Sequence, residues 1–220
     1  MYGTEIVPGW FYIMVLIVFI LFVGIGYWVT RNEKGLQTGG DGKLAEKAVY
    51  YENRFRSSAH PAEIIDVKTN YVGYVKRNFD SMIQQLISFV SPRRHIKITA
   101  ESHNGNLQIH LQHIKNETKF LYSGWEAEMI SNGQSERITI ESQSKKKSTI
   151  KLSFSYRGEV ITVSDHRKVN EMKIKKNGYD IASITYQKKL PPRKIFIDSK
   201  ESKLPLLLLA CMFEVIKYYD

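Results

Sequence analysis

Residues 204–220 read LPLLLLACMFEVIKYYD. From Leu206 to Phe213 every position is apolar, and Glu214, Val215, Ile216 and Lys217 complete what the pattern predicts to be one helix. Pro205 suits the start of such a helix, where a missing amide hydrogen costs nothing. A helix that is apolar on all sides must be enclosed. Lipid is a poor enclosure here. The uncharged run Leu204–Phe213 is ten residues, about 15 Å of helix against a hydrocarbon core of roughly 30 Å. The enclosing material is therefore expected to be protein, with Cys211 a small, inert, buried hydrophobe within it.

The preceding sequence supplies a wall. From residue 95 apolar residues alternate with polar ones, as in His95–Ala100, Leu107–Leu111 and Ile150–Tyr156, and the pairs Ile138/Ile140, Met172/Ile174, Ala182/Ile184 and Ile195/Ile197 continue the period. Such alternation gives strands with one face in a core and the other in water. Asn104-Gly105, Asn132-Gly133, Arg157-Gly158 and Asn177-Gly178 separate the runs, and Asn-Gly favours two-residue hairpins. One stretch departs from the period: Phe79, Met82, Ile83, Leu86 and Val90 follow a helical stripe ended by Pro92. The expected fold is mainly β, a closed antiparallel β-barrel around the hydrophobic carboxyl-terminal helix.

The amino end belongs to a different medium. Trp10–Val29 holds twenty residues without a charge, roughly 30 Å of helix, with Trp10, Tyr12, Tyr27 and Trp28 placing amphipathic rings at both ends. A cleaved signal peptide calls for a basic leading region and small residues before the cut, and residues 1–9 contain no Lys or Arg. The segment reads as a transmembrane anchor. Gly24 and Gly26 suggest a close helix contact, though not at the G-x-x-x-G spacing. Arg31, Lys34, Lys43 and Lys47 follow the span and no base precedes it, which predicts an external amino terminus and a cytoplasmic domain.

Residues 31–62 read as a juxtamembrane linker. Gly35, Gly39, Gly40 and Gly42 loosen its first part, and Leu44, Ala48, Tyr51 and Phe55 recur at helical spacing, predicting a short amphipathic helix. That helix would rest on anionic lipid or on the domain. The expected organisation is an anchor at 1–30, the linker at 31–62 and the barrel domain at 63–220.

A β-rich domain ending in a buried apolar helix resembles the tubby carboxyl-terminal superfamily, which includes the LURP-one-related proteins and the phospholipid scramblases. Leu204–Asp220 looks like the family's last helix, and Gly178–Ile184 and Arg193–Ile197 are similar to its penultimate strands. The resemblance implies a closed barrel threaded by its last helix and a basic pocket for phosphoinositide-like head groups. It departs from the scramblases in having its obvious span at the amino end and no D-x-[DN]-x-[DN]-G calcium loop.

The chain carries 32 Lys and Arg against 22 Asp and Glu, a net charge of +10, and all the bases follow residue 30. They cluster at Lys145, Lys146 and Lys147, at Lys173, Lys175 and Lys176, and at Lys188, Lys189, Arg193 and Lys194. These are the candidate ligands for anionic lipid, of phosphoinositide-like or phosphatidylglycerol-like head group. Near a membrane each contributes about 1 kcal/mol; as a solvated face they simply keep a basic protein soluble. No nucleic-acid motif accompanies them.

Signals for catalysis are absent: no G-x-S-x-G elbow, Walker loop or H-E-x-x-H occurs. Ser164-Asp165-His166 brings triad residue types together, yet strand neighbours point apart. His110 and His113 face opposite ways, so no metal site is expected, and one cysteine rules out a disulfide framework within the chain. No cofactor is implied. The expected role is a non-catalytic, membrane-tethered domain that binds anionic lipid head groups or an acidic partner. A scramblase-like lipid-handling protein and a membrane accessory that recruits other proteins are the alternatives.

Overall fold

The computed structural model describes residues 7–31, 49–67, 70–91, 96–114, 124–144, 150–166, 169–187, 193–200 and 204–217. The elements are α1 (Gly9–Arg31), β1 (Val49–Asn53), β2 (Ala62–Asp66), β3 (Asn70–Arg77), α2 (Met82–Val90), β4 (Lys97–Ser102), β5 (Leu107–Ile114) and β6 (Gly124–Ser131). They continue with β7 (Gln134–Ser142), β8 (Ile150–Tyr156), β9 (Glu159–His166), β10 (Glu171–Lys176), β11 (Tyr179–Tyr186), β12 (Arg193–Ser199) and α3 (Leu206–Ile216). Among the described residues, twelve strands form one closed antiparallel barrel in which each strand pairs with its neighbours in sequence and β1 closes on β12.

Side-chain alternation builds the wall as expected. In β8, Ile150, Leu152, Phe154 and Tyr156 are buried while Lys151 and Ser155 face out. The turns follow the predicted chemistry. Asn177 (φ 48°) and Gly178 (φ 90°) both lie in the left-handed region that a two-residue hairpin with matched twist requires, and Asn132-Gly133 and Arg157-Gly158 repeat it.

The barrel has two rims. β1 ends, β2 begins and β12 begins at the first; the tight hairpin turns lie at the second. α3 enters from the second rim, where Leu204 sits among Tyr156, Arg157 and Ile181, and reaches the first with Glu214 beside Tyr51. Ten consecutive residues of α3, Leu207–Ile216, are buried. They face Trp125, Tyr51, Ile109, Leu111 and the other inward side chains of a single core. Phe213 is held edge-on by Tyr51, with centroids 6.3 Å apart at 83°, and meets Tyr186 at 5.3 Å with the rings tilted by 60°.

The stretch expected to form a short linker helix is in part a strand. Val49, Tyr51 and Asn53 are buried and Tyr50 and Glu52 lie between them on the other face, the two-residue period of β1. The aromatic Tyr50 beside Tyr51 hides that period, and the spacing from Tyr51 to Phe55 imitates a helix. Pairing with both β2 and β12 overrides the local pattern. Leu44 and Ala48 lie outside the described residues.

α2 interrupts the barrel between β3 and β4 at the first rim. Ser81 caps it by accepting the Gln84 amide at 3.3 Å. α1 is long and apolar enough to cross a membrane and lies against α2, Gly26 meeting the Phe89 ring.

Because α3 fills the barrel, trimming it leaves a cavity that the closed wall cannot collapse into. Leu208→Ala should destabilise the protein by about 2–5 kcal/mol, read from urea unfolding of the full chain in detergent.

Candidate functional site

The first rim concentrates charge where α3 ends. Lys217 and Glu214, one turn apart on α3, form an ion pair whose side chains are almost fully buried. Tyr51 donates to Glu214 Oε1 at 3.2 Å and Lys217 Nζ donates to the Arg54 carbonyl at 3.3 Å. Arg54 Nε donates to the Pro61 carbonyl at 3.3 Å, and Arg77 Nη1 to that of Arg56. Arg77 also stacks on Phe79, and Arg193 on Tyr186 and Phe213 at 4.9 and 5.8 Å. Four bases thus surround the carbonyl end of α3, where the helix dipole favours positive charge. Among the described residues, Asn53 Nδ2, Arg54 Nη1 and Arg193 Nε are buried without a hydrogen-bond partner. Burial and the adjacent Glu214 carboxylate hold the Tyr51 hydroxyl well above its ordinary pKa, so it stays a donor.

The predicted lipid-binding residues are only partly brought together. Lys173 and Lys175 stand on the outer face of β10, each near an acid: Glu171 at 3.9 Å and Asp180 at 3.5 Å. Lys176, close to the second rim, reaches Glu159 at 3.0 Å. Lys194 lies over the Tyr50 ring at 5.7 Å on the outside of β12, whereas Arg193, its neighbour in sequence, turns inward. Lys145, Lys146, Lys147, Lys188 and Lys189 lie outside the described residues. The strand ends flanking them, Ser142 and Ile150, and Tyr186 and Arg193, belong to the first rim. The Glu214–Lys217 pair escaped sequence reasoning, although two charges three residues apart in an otherwise apolar rod were its visible signal.

The triad-like triplet does not converge. Asp165 points into the barrel and accepts the Tyr186 hydroxyl at 3.0 Å, while Ser164 Oγ and His166 Nε2 meet 3.5 Å apart on the other face. Cys211 is fully buried, and burial together with Glu214 pushes its thiol pKa up, away from thiolate chemistry. His113 packs edge-on against Trp125 at 5.8 Å. Among the described residues no group of three His, Cys, Asp or Glu is placed to hold a metal ion.

A closed antiparallel barrel threaded by an apolar helix, with a polar cluster around the helix end, defines the structural class. The family model for the Tubby C-terminal like domain matches residues 49–220, and the chain belongs to that family. Its match begins at the first residue of β1. No curated protein and no solved structure gives a match.

Two outcomes follow. Glu214→Gln leaves the Lys217 ammonium buried without its counter-charge and should cost about 3–5 kcal/mol in denaturant unfolding, whereas the Glu214→Met/Lys217→Met pair should recover most of the loss. Burial holds the His113 imidazole below its ordinary 6.5. The unfolded chain therefore takes up that proton first, and stability drops as pH falls below 6.5 until the folded imidazole also protonates. Melting temperature should decline over that window, and His113→Phe should flatten the decline.

Proposed function

We propose that this protein is a non-catalytic, single-pass membrane protein whose tubby-like barrel presents its first rim to anionic head groups at the cytoplasmic face. The observation that carries this reading is the contact between α1 and α2. It sets the helix long enough to cross a membrane beside the rim that receives α3's charged end. The bases flanking α1 on its carboxyl side, Arg31, Lys34, Lys43 and Lys47, support the cytoplasmic orientation.

Two of the three basic clusters, Lys145–Lys147 and Lys188/Lys189 with Arg193 and Lys194, are bracketed in sequence by strand ends that belong to this same rim. Lys173, Lys175 and Lys176 carry less of the function, since an acid lies within 4 Å of each. Tethering confines the rim near lipid, so individually weak cations act together. The affinity is electrostatic and salt-sensitive, and the acidic ligand is a phosphatidylglycerol-like or phosphoinositide-like head group.

The test uses the full chain in nanodiscs of phosphatidylcholine alone or mixed with phosphatidylglycerol. Hydrogen exchange at the first rim should slow in the anionic discs, and added salt should reverse the slowing. Replacing Lys145, Lys146 and Lys147 by Gln removes three cations of about 1 kcal/mol each, weakening the interaction on the order of 10²-fold. Equal exchange in both discs would contradict the proposal.

A further inference from the structure

α2 is amphipathic in the opposite sense to a helix docked on a soluble domain. At about 100° per residue, Gln84, Gln85 and Ser88 occupy one arc, and Met82, Ile83, Leu86, Ile87 and Phe89 the other. The polar arc meets the barrel. Gln85 Nε2 donates to the Ser57 carbonyl at 3.0 Å, and Ser88, 1% exposed, donates back to Gln85 at 2.6 Å. The apolar arc faces away, leaving Met82 64% and Ile83 68% exposed. A surface helix ordinarily turns its apolar stripe to the core.

The environment of that arc is set by α1. Phe89 rests on Gly26, where a Cβ would come within 2.8 Å of the ring. Further along, Met82 and Leu86 line an apolar groove of about 370 Å³ with Phe19, Ile20, Val23 and Gly24. Those four residues belong to the interior of the uncharged stretch Trp10–Val29. If α1 crosses a bilayer they lie in hydrocarbon, and side chains facing them share that medium. α1 covers one flank of the arc only, because Ile83 points to the side and stays exposed.

We infer that α2 is a second membrane-contacting element, whose Met82–Ile83–Leu86 face inserts among the acyl chains of the leaflet that holds the carboxyl-terminal half of α1. Nine residues make about 13 Å of helix, too little to span and enough to line part of one leaflet beside α1. Acyl chains are the occupant because one wall of the groove is the anchor itself. The inference rests on α1 being a membrane anchor, and it fixes the first rim as the side held against the bilayer.

The experiment places an environment-sensitive fluorophore on Ile83→Cys in the full chain, reconstituted into phosphatidylcholine vesicles. Fully buried Cys211 does not compete for the label. The control is Tyr179→Cys at the second rim, where Tyr179 is 79% exposed. Nitroxide-bearing lipid should quench the label at 83 several-fold more than at 179, and aqueous iodide should do the reverse. Equal iodide quenching at both sites overturns the inference, as does shielding at 83 from both quenchers, which would mean a protein partner covers the face. Vesicle flotation separates the premises. A chain that fails to float removes the anchor and this inference together, while one that floats without lipid quenching at 83 removes only the inference. Phosphatidylcholine has no net charge, so the result is independent of the preference for anionic lipid.

Discussion

A rod of leucines has no stable position in water, and α3 shows how completely that constraint can shape a domain. Ten of its residues in succession are buried, so no side of it is left to face solvent. One sheet cannot cover such a rod; a sheet rolled until its edges meet can. Closure also removes the unpaired strand edges that invite aggregation. The wall's inward residues range from Ala100 and Ala127 to Trp125 and Tyr51, and all are buried with the helix in one core.

The same burial creates a problem at the helix end. Glu214 and Lys217 are carried into the barrel mouth by a helix whose last turn lies within the wall, so each must satisfy the other. The pair is embedded in a hydrogen-bonded set that includes Tyr51 of β1 and the Arg54 carbonyl. These contacts link the last helix to the first strand across a separation of 163 residues. A buried pair of this kind adds little net stability but is costly to break.

Much of the architecture could be read from residue order because its signals are local. Alternation in Ile150–Tyr156, the Asn-Gly turns and the unbroken apolar run after Pro205 each report a neighbourhood of a few residues. β1 is not legible in this way because its evidence is not local: Tyr51 and Asn53 are inward only by virtue of pairing with β12 and contact with Glu214 and Arg193. The site is less legible for a related reason. Strand phase places Lys173 and Lys175 on one face, but it is silent about Glu171 and Asp180 beside them. Likewise Arg193 and Lys194 look equivalent in sequence until adjacent positions of a strand send one onto Phe213 and the other onto Tyr50. The inverted polarity of α2 was visible in Gln84, Gln85 and Ser88, yet only the barrel's position shows which arc is the outside.

Threading has a consequence for the order of assembly. An empty ring lined with Ile, Trp and Tyr would not hold its shape in water, so the helix cannot arrive after the wall is complete. The sheet has to wrap an already forming rod, and the seam between β1 and β12, joining residues such as Tyr51 and Ile195, is the most distant pairing in the chain and the natural final step. Until that seam shuts, the leucines remain reachable by water, chaperones or membrane. The strand that shuts it is also the barrel strand nearest in sequence to α1, so the latch of the fold is the first strand the chain supplies after that apolar helix.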